Sequence, residues 1–252
     1  MQINQHTSVG LTLFYKIPAQ LSDGDKRSFL AILRAHSELY GEYKYLEIGS
    51  HLGGSIAPVL LDQKCRKIYS IDKRPAIQPD DTGKAYHYPK NSTARMMANL
   101  RLIDPAADEK VTCFEGDTAS VAITEISSKP SICFIDGEHT DAVTYRDYQF
   151  CRKAIQDRGT LIFHDANTLY LTLQRITNDL NSEGISFEAY CLADSIFVIS
   201  LGAPQVSRDE GILALMRQGG GYLPSLAIND HYRRFKNRKI FKWLLTLYNL
   251  VR

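Results

Sequence analysis

The chain has 252 residues, 44% apolar and 23% charged, which is ordinary for a globular protein and enough for one sizeable α/β domain with additions. No apolar run approaches a membrane span, and the polar start, residues 1–10, lacks a basic-then-apolar leader pattern. The formal net charge of +2 combines a tail, 231–252, at +7 with no Asp or Glu, and a preceding body at −5. An acidic body without an RNA-binding signature argues against nucleic acid as a partner.

Ser22-Asp23-Gly24-Asp25 reads as a capping box. Phe29, Ile32, Leu33 and His36 then recur at helical spacing, predicting a helix to about Leu39. Apolar runs bounded by turns predict strands at 44–48, 67–72, 111–115, 131–136 and 160–164. Helical patterns at 54–63, 92–103 and 140–155 separate them. Such alternation implies right-handed crossovers and an α/β, doubly wound, mostly parallel sheet with helices on both faces. After a helix at 168–180, the runs 185–192 and 195–201 are close enough to form a C-terminal antiparallel hairpin. The resulting plan is an N-terminal helical cap at 1–43, the sheet domain at 44–201 and a C-terminal helical extension at 202–252.

Three segments lie outside the strand–helix rhythm. Arg74–Lys90 is a polar connection with three prolines, long enough to act as a lid or binding loop. In it, His87 with Tyr86 and Tyr88 is a candidate lining for a substrate pocket. Residues 202–252 predict a helix capped by Ser207 and Glu210, a hinge at Gly219-Gly220-Gly221, and a basic tail helix. The tail sets Ile240, Phe241, Leu244, Leu245, Tyr248 and Val251 on one face. Packing of that face on the body, or on a second subunit of a homodimer, is favoured. Peripheral docking at the inner face of an anionic membrane is the competing reading. The five cysteines have no CxxC spacing and read as buried, reduced thiols of a cytoplasmic protein.

The chemistry gathers at the strand ends. Tyr45-Leu46-Glu47-Ile48 runs into Gly49-Ser50-His51-Leu52-Gly53-Gly54-Ser55, a strand entering a glycine-rich turn before a helix. A dinucleotide fingerprint needs a bare third position because a pyrophosphate lies on the backbone there. His51 occupies it, so the turn favours S-adenosylmethionine, which has no phosphate. Asp72 follows Gly49 by 23 residues, the spacing at which a carboxylate receives ribose hydroxyls. The later strands end in Glu115-Gly116-Asp117, Asp136-Gly137-Glu138-His139 and His164-Asp165. One strand-end Asp is best read as a cap or turn former, but a row of them along one sheet edge is not. Asp136, His164 and Asp165 form a candidate site for Mg²⁺ or Mn²⁺.

Glu47-Ile48-Gly49 with Gly53-Gly54-Ser55, Phe134-Ile135-Asp136-Gly137-Glu138-His139 and Phe163-His164-Asp165-Ala166 resemble the class I S-adenosylmethionine-dependent methyltransferases. Within that class they resemble the branch of macrolide-sugar O-methyltransferases and cephalosporin-hydroxylase-like proteins. The resemblance covers about residues 40–201 and implies a Rossmann-like fold. It also implies Mg²⁺ at Asp136 and at positions 164 and 165, with His139 as general base and Asp136 as a catalytic residue. His164 departs from the family's acidic pair. The cofactor is expected between Glu47 and the 49–55 turn at its methionine end, Asp72 at its ribose and Asp117 at its adenine. The acceptor is expected to be a small molecule or glycosyl group. Iron-dependent hydroxylation and a catalytically silent cofactor-binding or membrane-associated module are the alternatives.

Overall fold

The computed structural model describes residues 5–81, 84–202, 206–219 and 223–250. Two helices, α1 (Gln5–Lys16) and α2 (Asp23–Tyr40), lead into the first strand, β1 (Tyr43–Ile48). Then come α3 (Ile56–Leu61), β2 (Cys65–Asp72), the short strands β3 (Ile77–Pro79) and β4 (Ala85–His87), α4 (Thr93–Ile103) and α5 (Ala107–Lys110). The second half runs β5 (Val111–Glu115), β6 (Ile132–Ile135), α6 (Asp141–Ala154), β7 (Thr160–Phe163), α7 (Tyr170–Ser182), β8 (Phe187–Cys191) and β9 (Phe197–Leu201). Three helices follow: α8 (Glu210–Gly219), α9 (Leu223–Asn237) and α10 (Lys239–Leu250).

Seven strands form one sheet in the order β5-β2-β1-β6-β7-β9-β8, parallel except where β9 pairs antiparallel with β7 and β8. The strand order turns back between β1 and β6, which opens a crevice at their carboxyl ends. Alternation along β1 puts Tyr43 and Tyr45 in one core and Leu46 and Ile48 in the other. Phe29 and Ile32 of α2 cover the first face, and Tyr148, Leu173 and Ile176 of α6 and α7 cover the second. Both faces are therefore dry, and β6 is buried at every residue.

The α2 capping box forms as the sequence predicts. Ser22 Oγ accepts the Asp25 N–H at 3.0 Å, and the Asp25 carboxylate accepts the Ser22 N–H at 3.2 Å. Other expectations need correction. The 74–90 connection contains the β3–β4 hairpin. Ser207 does not cap α8; its hydroxyl binds Glu188, and Asp209 Oδ1 accepts the N–H groups of Gly211 and Ile212. Of the glycine hinge, Gly219 ends α8 and the rest lies outside the described residues, as does Val251. The cysteines are free thiols, with Cys113 and Cys191 only partly buried.

The tail is two helices broken at Arg238, with Phe235 and Phe241 meeting across the corner at 5.4 Å between ring centroids. Among the described residues its apolar face is mostly exposed. Ile240, Leu244, Leu245 and Tyr248 are exposed, because α10 rests chiefly on α9. None of the described helices is long and apolar enough to cross a membrane.

Candidate active site

The glycine turn is fixed by close backbone approach. Gly49 has φ +89°, and a Cβ there would lie 2.0 Å from the Asp136 carbonyl oxygen, so the β1 and β6 tips touch only because the side chain is missing. A Cβ at Gly54 would lie 2.6 Å from the Pro18 carbonyl, where the α1–α2 link crosses the turn. His51 itself adopts a left-handed φ of +44°. Asp72 holds the turn in place. Its Oδ2 accepts the His51 N–H at 2.8 Å and its Oδ1 accepts the Arg74 N–H at 2.7 Å.

A cleft of about 820 Å³ opens along the carboxyl edge of the sheet. Gly49, Ser50, His51, Gly54, Ser55, Asp72, Asp117, Asp136, His139, His164 and Asp165 all line it. Two expected residues do not. Gly53 packs toward Met96 and Leu100 of α4, and Glu47 sits one layer behind the wall. Tyr45 Oη and Ser55 Oγ each donate to a Glu47 oxygen at 2.5 Å. Burial raises the Glu47 pKa to about 8 against those two hydrogen bonds, so the carboxyl is held protonated. In the hairpin, His87 is exposed while Tyr88 lines the cleft beside His51, at 5.0 Å between rings.

At the β6 and β7 tips, ligand atoms of Asp136, His139, His164 and Asp165 all lie within 4.8 Å of one another. The capping reading fails for Asp165, whose side chain makes no cap bond and whose φ is +50°. His139 Nδ1 lies 3.1 Å from Asp165 Oδ2, while its Nε2 is buried without a hydrogen-bond partner, 3.5 Å from Asp136 Oδ1. Burial lowers the His139 pKa, but Asp136 and Asp165 outweigh it and leave it above the ordinary 6.5. His164 places Nδ1 2.7 Å from Asp136 Oδ1 and Nε2 3.4 Å from Asp25 Oδ2. With carboxylates at both nitrogens, its pKa is well above normal despite burial. To serve as a metal ligand, it must give up one of those contacts and its proton.

Asp25 is the participant that sequence reasoning missed, being read only as part of a cap. It is buried, and its Oδ1 also accepts the Ser195 N–H at 2.8 Å. Burial raises its pKa, but His164 and the hydrogen bonds prevail and bring it to about 2. The Pro18–Leu21 link and Arg146 also line the cleft, the latter 3.1 Å from Asp117. No local pattern marks them.

Residues 46–166, just under half of the chain, match a family model described as a methyltransferase domain. Over that span the chain is similar to the methyltransferase domain family. Its sheet is shared with solved structures of low sequence identity, so the likeness is one of fold. The O-methyltransferase NovP aligns over 77% of this chain and 98% of its own, with a TM-score of 0.59 at 14% identity. The O-methyltransferase TomG of Streptomyces achromogenes, solved with SAM, aligns over 81% and 92%, at 0.51 and 11% identity. The methyltransferase MycE, solved with Mg, SAH and mycinamycin VI, aligns over 78% of this chain and 54% of its own, at 0.52 and 14%. No curated protein sequence matches the chain.

Proposed function

We propose that this methyltransferase domain uses S-adenosylmethionine to O-methylate a hydroxyl of a small molecule, with a glycosyl group the leading acceptor class. The observation that carries this reading is His139 on the cleft wall, with Asp165 3.1 Å from Nδ1 and Asp136 3.5 Å from Nε2. An Nδ1–H donated to Asp165 fixes the tautomer in which Nε2 carries the lone pair that takes a proton, and Asp136 beside it favours the protonated form. The cleft also suits the cofactor. The glycine turn and Asp72 line it, and Asp117 and Glu138 stand there paired with Arg146 and Lys73.

In the proposed reaction, His139 Nε2 removes the acceptor's hydroxyl proton as the oxygen lone pair bonds to the methyl carbon. The carbon–sulfur bond breaks, and its electron pair stays on sulfur as a neutral thioether. Asp165 stabilises the imidazolium that forms. Much of the rate is assigned to positioning within the cleft.

The donor set fits a divalent cation. Asp136 and Asp165 supply hard oxygens, and His164 becomes available once its proton leaves. Such an ion, Mg²⁺ or Mn²⁺, supplies Lewis-acid stabilisation of the oxygen that loses its proton. Two imidazoles with two carboxylates suit Fe²⁺ equally well, and this favours iron-dependent hydroxylation as the second reading.

Calorimetric titration with S-adenosylhomocysteine, with and without Mg²⁺ and with NADH as control, separates the two. Stoichiometric binding of S-adenosylhomocysteine, with none of NADH, is expected. No binding by the folded protein would remove the methyl-transfer reading and leave the hydroxylase in front.

A further inference from the structure

The two tail helices divide their charges by task. Arg234 is largely buried among Asp81, Asp141, Asp230 and the Thr168 carbonyl, and Arg233 bonds Asp230 and the Asn167 carbonyl. These contacts clamp α9 against α7 and the segment after Asp165. The basic residues beyond the clamp are different. Lys236, Arg238, Lys239 and Lys242 are exposed, and none forms an ion pair among the described residues.

On α10, Lys239, Lys242 and Thr246 share one strip at i, i+3 and i+7. Trp243, Leu247, Ile240, Leu244, Tyr248, Phe241 and Leu245 follow one another round about 200° of the remaining circumference at about 100° per residue. All of these but Phe241 are exposed, with Trp243 and Ile240 each at 60%. A contiguous apolar face of this kind marks a surface that something covers.

We infer that α10 is an in-plane anchor for an anionic lipid bilayer. Three observations select that occupant. The segment from 231 onward carries only positive charge while the body before it is net negative, so an anionic surface attracts the tail and repels the rest. Two copies of the tail face to face would leave much of the arc uncovered, because it is far wider than the two-position seam of a helix pair. Finally, the polar strip of Lys239, Lys242 and Thr246 runs along the described length of α10 opposite its apolar arc, the division of a helix that lies along the interface. Tryptophan and tyrosine at its exposed face suit the headgroup level. The inference does not depend on the methyl-transfer reading, because its test reads no activity.

Trp243 is the only tryptophan in the chain, so its emission reports on α10 alone. The full chain is mixed with vesicles of phosphatidylcholine, or of phosphatidylcholine with phosphatidylglycerol, and followed by co-sedimentation and fluorescence. Binding and a blue shift are expected on the anionic vesicles only. Raising salt from about 0.1 M to about 1 M, which shortens the screening length from about 10 Å to about 3 Å, should weaken both. Replacing Lys236, Arg238, Lys239 and Lys242 together by Gln should reduce partitioning more than tenfold. Leu244→Glu with Leu247→Glu should abolish the blue shift, and both changes lie on exposed positions that leave the fold intact by circular dichroism. Absence of binding on both vesicles overturns the anchor, as does equal binding to neutral ones. A dimer in buffer with Trp243 already blue-shifted, dissociated by the same two substitutions, would assign the face to a second copy instead.

Discussion

His139 and Glu47 show how one environment sets opposite demands on two titratable groups. His139 must be neutral to accept a proton, yet Asp136 and Asp165 hold its pKa above 6.5. Turnover should therefore rise with pH through a limb above 6.5, read from the pH profile of kcat. His139→Ala should lower kcat by about 10²–10⁴-fold and erase that limb, with S-adenosylhomocysteine affinity unchanged by calorimetry. Glu47 works through stability. Its folded pKa of about 8 stands above the ordinary 4.5, so its contribution is complete below 4.5 and is lost as pH rises through 8. Glu47→Gln removes that loss. Its stability advantage over the parent should be absent near pH 4.5 and grow to at most about 5 kcal/mol above pH 8, measured by denaturant unfolding.

At the scale of elements, the first turn of α2 has two duties that mutation can separate. Ser22 caps the helix, and Asp25 both closes the box and faces His164. Ser22→Ala should cost about 1 kcal/mol, the ordinary value of a cap, and leave kcat unchanged. Asp25→Asn leaves His164 short of a carboxylate in a buried place and should cost about 3 kcal/mol while lowering kcat. Unfolding midpoints and steady-state kinetics on the same preparations check both. The capping box was legible in the sequence because its signal spans four residues. The second duty was not, since the partners of Asp25 at 164 and 195 are brought to it by the sheet. The hairpin shows a smaller failure of the same kind. Composition pointed to Tyr86-His87-Tyr88, but which of three neighbours enters the cleft depends on strand orientation, and a shift of one residue reverses it. The break at Arg238 carries no Gly or Pro, so the tail read as one helix.

For the whole molecule, local periodicity and turn chemistry suffice to place the parallel strands and their order of appearance. The row of acids at their tips follows because a parallel sheet presents all its carboxyl ends on one edge. What periodicity cannot convey is how distant segments complete that edge: the Pro18–Leu21 link over Gly54, Arg146 beside Asp117, and α9 beside the segment after Asp165. These are contacts of long sequence separation, chosen by tertiary packing.

The bond from Asp25 to the backbone of Ser195 has a temporal meaning as well. It joins residues 170 apart, on either side of every strand that carries a cleft residue. During synthesis the cluster around His164 stays open until the segment at 195 has left the ribosome, and only then does α2 find its anchor. Such distant closures come late in folding. The cluster around His164 is thus among the last parts of the protein to exist, and a chain interrupted before that point has strands but no closed cluster at their tips.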